Sequence, residues 1–107
     1  MMRVLFLAVL AMTFASTVSA QDLAAKGKDV YTAQKCSVCH AIAGAGNKKG
    51  SLDGVGAKLS AADIRSWITD APAMAAKVKA ERKPVMKAYM LAKDDVDALV
   101  AYLQTLK

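Results

Sequence analysis

Apolar and small residues recur at Leu23, Gly27, Val30 and Tyr31, offsets of four, seven and eight along a segment otherwise rich in Asp, Lys and Gln. That spacing predicts an amphipathic helix over 22–34. A second helical stripe, Ile64, Trp67 and Ile68, follows Ser60-Ala61-Ala62-Asp63, a start of the capping-box type, and Asp70-Ala71-Pro72 is expected to close it. Another turn or two is expected over 73–80, ended by Arg82-Lys83-Pro84, with 85–92 extended or irregular. The clearest stripe comes last. Val96, Leu99, Val100, Leu103 and Leu106 share one face of a helix beginning near Asp94-Asp95, whose carboxylates suit the positive end of a helix. Between the first two helices, 41–56 holds five of the chain's six glycines together with Asn47, Lys48 and Lys49, and reads as a loop wrapped around something. No strand-like alternation runs through 21–107, so the fold class is all-α.

Gly27 is the odd residue of the first stripe, since a helix-interior glycine costs ~1 kcal/mol relative to alanine. Close packing would justify it: with no side chain there, the ring of Tyr102 on the last helix can lie against the first helix, and the two terminal helices cross. The plainer reading leaves Gly27 incidental on an exposed face.

The N-terminus has its own pattern. Met1-Met2-Arg3 is a short basic start, Val4 to Met12 an apolar core, and Val18-Ser19-Ala20 a run of small residues fit for cleavage. This pattern predicts a secretory signal peptide over 1–20, leaving one small domain, 21–107. The apolar run breaks at Thr13, well short of the ~20 residues that span a bilayer. On that length an uncleaved anchor is the weaker alternative, and no later segment is apolar enough to span. The chain carries 15 Lys and Arg against 9 Asp and Glu, and export makes nucleic acid a poor partner for that charge. With aromatic residues only 6% of the chain, a domain this small needs a staple.

Cys36-Ser37-Val38-Cys39-His40 supplies a candidate. Two thiols three apart with a histidine directly after form the attachment signature of a c-type haem. One helical turn puts both sulfurs on one side of a porphyrin, where they add across its vinyl groups. His40 then falls beneath the iron as proximal ligand, and its second ring nitrogen requires an acceptor. A structural disulfide leaves the adjoining histidine unexplained. A thioredoxin-like dithiol needs a βαβ setting, and zinc needs four ligands, whereas the chain has two cysteines and one histidine.

Taken in order, Gly27-Lys28-Asp29-Val30-Tyr31, the Cys36 to His40 motif, the Trp67, Asp70 and Pro72 segment and the Tyr102-Leu103 pair of the last helix resemble the class I cytochromes c. The resemblance covers nearly all of 21–107 and implies short helices wrapped around one covalently bound haem c. It also implies a methionine as sixth iron ligand, and Met86-Lys87-Ala88-Tyr89 fits the family's Met-Pro-x-aromatic segment, with Lys87 where proline stands. Met86 is therefore the expected ligand, with Met74 and Met90 as competitors and core filling as the alternative role of any methionine. Lys49-Gly50-Ser51-Leu52 is similar to the family's Gly-Pro-x-Leu segment, so the carbonyl of Gly50 is expected to accept the proximal histidine's proton, with Leu52 and Tyr89 in the pocket. Trp67 either reaches a haem propionate or simply fills core. Ala92 stands where the family caps its last helix with Ser or Thr.

The resemblance implies a periplasmic carrier of single electrons rather than an enzyme. Lys35, Lys48, Lys49, Lys58, Lys87 and Lys93 flank the haem-binding segments, and either form a positive rim for acidic redox partners or are merely solvated. A monomer entering transient complexes is expected. Two alternatives remain: the haem subunit of a larger periplasmic oxidoreductase, or a peroxidase-like or gas-binding protein with an open sixth position. The last lacks a second histidine, so acid–base chemistry would fall to Arg82, Tyr89 or a lysine.

Overall fold

In a computed structural model the described residues are 19–107. The expected leader lies mostly outside them; its last two residues, Ser19 and Ala20, begin the first helix. Ser19 caps α1 (Ala20–Ala33), its Oγ accepting the Asp22 N–H at 3.1 Å. Gln34 ends the helix, and Lys35, in the left-handed region at φ 56°, turns the chain into a short 3-10 turn at Cys36–Val38.

The glycine-rich segment is more ordered than a plain loop. Two short strands, β1 (Ala41–Ile42) and β2 (Ala45–Gly46), pair antiparallel with Ala41 opposite Gly46 and Ile42 opposite Ala45. Ala43 and Gly44 both have positive φ (50° and 82°), which matches the twist of a two-residue hairpin turn. Strands of two residues are too short to show alternation in a sequence. A 3-10 turn at Lys48–Gly50 and a parallel bridge from Ala41 to Ser51 fold the segment back before the one-turn α2 (Val55–Lys58).

Ser60 caps α3 (Ala61–Thr69) through the Asp63 N–H. The helix ends at Thr69, as expected from Asp70-Ala71-Pro72, but Pro72 also helps start the next one. It sits in the first turn of α4 (Ala71–Lys77), where its missing N–H leaves no hydrogen bond unmade and its fixed φ suits a helix start. Consequently α4 begins two residues earlier than expected and stops at Lys77, before Lys79 adopts positive φ. Residues 78–92 form no regular element and run as a strap to α5 (Lys93–Gln104). Ala92 offers α5 no side-chain cap, and only its carbonyl serves, accepting from the Asp95 and Val96 N–H groups.

The core lies where α1, α3 and α5 meet. Tyr31, Ile64, Ile68, Val96, Leu99, Val100 and Leu103 form one buried cluster, drawn from the stripes the periodicity marks. Gly27 is buried at the α1–α5 crossing, where a Cβ would collide with the Ala98 carbonyl and come within 2.6 Å of Tyr102 Cβ. It is thus the Ala98 backbone and the base of Tyr102 that need the space. The Tyr102 ring instead meets Tyr31 edge-on, centroids 6.0 Å apart. Helices take up 58% of the described residues, which with so little strand makes the fold all-α. No helix among those residues is long and apolar enough to cross a membrane.

Candidate haem site

The site begins with the left-handed Lys35, which frees the chain to wind the cysteine motif tightly. The carbonyl of Cys36 accepts from both the Cys39 N–H at 3.2 Å and the His40 N–H at 2.9 Å, closing one turn. Neither cysteine is paired in a disulfide; Cys36 is half-buried and Cys39 exposed. Burial pushes the Cys36 thiol up from its ordinary range, partly opposed by a backbone hydrogen bond.

Asn47 ties the motif to the following loop. Its backbone N–H reaches the carbonyls of Ser37 and His40, at 3.1 and 3.0 Å, and its amide donates to the Val38 carbonyl at 3.2 Å. Gly46 makes this approach feasible: at φ 108°, with the His40 and Ser37 carbonyls against its α-carbon, it leaves no space for a side chain. Asp53 completes the loop by accepting the Ala43 N–H at 2.8 Å.

His40 Nδ1 lies 2.8 Å from the Gly50 carbonyl, which can only accept, so Nδ1 carries the proton. Nε2 therefore keeps its lone pair. Burial lowers the His40 pKa, the Gly50 hydrogen bond opposes this, and the Arg82 charge adds to the lowering. A neutral imidazole with a fixed tautomer is the form that ligates a metal.

The strap covers this region from the other end of the chain. Tyr89 N–H bonds to the Ile68 carbonyl at 2.9 Å, and the Tyr89 ring and Leu91 pack against the core cluster, as do Cys36 and Leu52. Burial raises the Tyr89 pKa, and the fields of Cys36 and Cys39 add to it, which puts the phenol within electrostatic reach of the motif. Lys87 Nζ stands 4.8 Å over the Tyr89 ring. Cys36, Cys39, His40, Gly50, Leu52 and Tyr89 are thus brought into one neighbourhood.

The remaining candidates scatter. Met86 is half-buried and lines a groove with Pro72, Ala75 and Lys79. Met74 is half-buried on α4, while Met90 is fully exposed at 100%. Trp67 is half-buried on α3, and its indole N–H meets no acceptor among the described residues. Gly27 and Tyr102 belong to the helix crossing. Sequence reasoning missed the roles of Asn47 and Asp53, and named Arg82 only as an acid–base candidate, not as a partner of Cys39. An Asn inside a glycine-rich turn was the available signal for the first, since its side chain readily bonds nearby backbone. Arg82 had no local signal, because its partner Cys39 lies 43 residues away.

These residues fit a covalently held haem. Two cysteines lie one turn apart, a half-buried neutral imidazole presents an unencumbered Nε2, and apolar side chains of the core border them. The Tyr31 hydroxyl, in the same cluster, is buried without a hydrogen-bond partner among the described residues. No group of three or more His, Cys, Asp or Glu in the described residues is placed to hold a bare metal ion.

A helical fold with this thiol pair and imidazole defines a c-type haem protein. Residues 24–107 match the family model for cytochrome c, so the chain belongs to the cytochrome c family, and its small size fits class I. Its cofactor is haem c, and its role is electron transfer. No curated protein and no solved structure matches the chain.

Proposed function

We propose that the protein is an exported, periplasmic carrier of single electrons whose haem is attached through Cys36 and Cys39 and ligated by His40 and Met86. Bound haem supplies an iron that gains and loses one electron. The His40 to Gly50 hydrogen bond carries the reading, because it orients Nε2 and sets the tautomer before any electron moves. The soft, neutral Met86 thioether, as the second ligand, would favour the reduced iron and close it to outside ligands. Of the three methionines considered, Met86 alone combines a place in the strap with a sheltered side chain; Met90 is fully exposed and Met74 belongs to α4.

A peroxidase-like site would draw its acid–base group from Arg82, Tyr89 or a lysine, and Arg82 does not stand free. Its guanidinium donates to the Cys39 carbonyl at 2.6 Å, and His40 is the only histidine in the chain. The carrier is therefore the better reading.

A visible spectrum tests it. The ferric protein is expected to show the weak red band of methionine-ligated haem c, lost in Met86→Ala but kept in Met74→Ala and Met90→Ala. Carbon monoxide should bind the reduced wild-type protein slowly and Met86→Ala fast. Rapid binding to the wild type, or a band that survives in Met86→Ala, overturns the ligand assignment.

A further inference from the structure

We propose that Arg82 is a positioning residue that latches the strap carrying Met86 to the loop carrying His40, and that its charge tunes the imidazole. The inference rests on the reading of His40 and Met86 as the iron's two ligands, and it goes beyond that reading by saying what keeps the strap shut.

Residues 81–88 are weakly tied to the rest of the chain. Ala80 N–H bonds to the Ala75 carbonyl at 2.9 Å, and Tyr89 N–H bonds to Ile68. Between these two anchors, among the described residues, Arg82 makes the one hydrogen bond to another part of the fold. Its Nη2 donates to the Cys39 carbonyl at 2.6 Å. The contact is solvent-exposed, but a guanidinium is always charged and a charge-assisted bond is stronger than a neutral one in the same setting. Lys87 stands over the Tyr89 ring, and neither Lys87 nor Lys83 makes an ion pair or hydrogen bond among the described residues.

The same guanidinium lies against Gly50. A Cβ on Gly50 would collide with Arg82 Nη1 and with the Cys39 carbonyl, so bare backbone at position 50 is what lets the arginine seat. Gly50 is also the residue whose carbonyl accepts the His40 proton. One side chain therefore touches the strap four residues before Met86, the carbonyl of the second cysteine, and the partner of the proximal imidazole. A fixed positive charge beside this hydrogen bond disfavours further positive charge at the iron, and so favours the reduced state.

Two separable effects follow. As a latch, Arg82 opposes displacement of Met86 by an outside ligand; as a charge, it raises the reduction potential through Gly50 and His40. The test uses the holoprotein with imidazole as the displacing ligand. Arg82→Met is expected to keep the methionine band in the resting ferric state, yet bind imidazole about tenfold more tightly, the effect of losing one hydrogen bond to a charged group. Its potential should fall. Lys83→Met, which removes the neighbouring charge without removing a contact, should change neither quantity comparably. Arg82→Lys should keep a potential nearer the wild type than Arg82→Met does.

If Arg82→Met and Lys83→Met behave alike in both measurements, the proposal is overturned. An Arg82→Lys potential as low as that of Arg82→Met overturns the charge effect. Met86→Ala separates this proposal from the ligand assignment. A methionine band persisting there defeats the assignment of Met86, whereas the potential drop from Arg82→Met acts through His40 and should persist in the Met86→Ala background.

Discussion

Gly27 and Gly46 are places where an absent side chain decides the structure. Gly27 lets α1 approach the Ala98 carbonyl on α5, a backbone group that cannot swing aside. Gly27→Ala should therefore push the terminal helices apart, costing about 2 kcal/mol by analogy with other overpacked sites. Urea unfolding of the holoprotein measures this, and a loss below ~0.5 kcal/mol would mean the crossing yields freely. At position 27 the sequence already signalled a reason, because helix-interior glycine is disfavoured. For Gly46 no such signal existed in a segment crowded with glycines. Only the fold shows that this one faces the carbonyls of His40 and Ser37. Asn47 is similar: its type suggests a turn, but which three carbonyls it satisfies depends on how the cysteine motif curls back over it.

Among the elements, α3 and α5 are joined outside the core by Asp97, which accepts from Arg65 on α3 and from Lys93 one turn earlier on α5. These hydrogen bonds hold the Asp97 carboxyl below its ordinary range. With the folded value depressed, the pair's contribution is present above the unfolded carboxylate value, near ~4, and is lost as pH falls through the folded value. Asp97→Asn should thus unfold at lower urea than the wild type at neutral pH, and the gap should narrow toward pH ~3. An equal gap at both pH values would assign the effect to packing. The same bridge takes Lys93 out of the set of free surface cations considered from the sequence. Helix stripes were legible because each buries one face at a 3.6-residue period. The β1–β2 hairpin and the start of α4 were not. Two-residue strands have no period, and proline marks a helix start as well as a helix end.

At the scale of the whole molecule, surface charge and site geometry bear on partners. Lys35, Lys48, Lys49 and Lys58 are exposed and make no ion pair among the described residues, and the first three lie on the segments that enclose His40. If they steer an acidic redox partner, as the proposed carrier role requires, the second-order transfer rate should fall steeply as ionic strength rises past the point where the Debye length drops below ~10 Å. Stopped-flow measurement across salt checks this, and a flat profile would remove the rim from the docking account.

The chain by itself determined the cofactor chemistry and the three main helices, because both are written in short-range spacing: two thiols and an imidazole within one turn, and apolar stripes at helical period. Tertiary structure alone decided what surrounds that chemistry. The Asp53 carboxylate meets the Ala43 N–H across ten residues, and Arg82 meets Cys39 across 43. Contacts of that separation follow from how the helices pack and where the strap crosses, which no local pattern encodes.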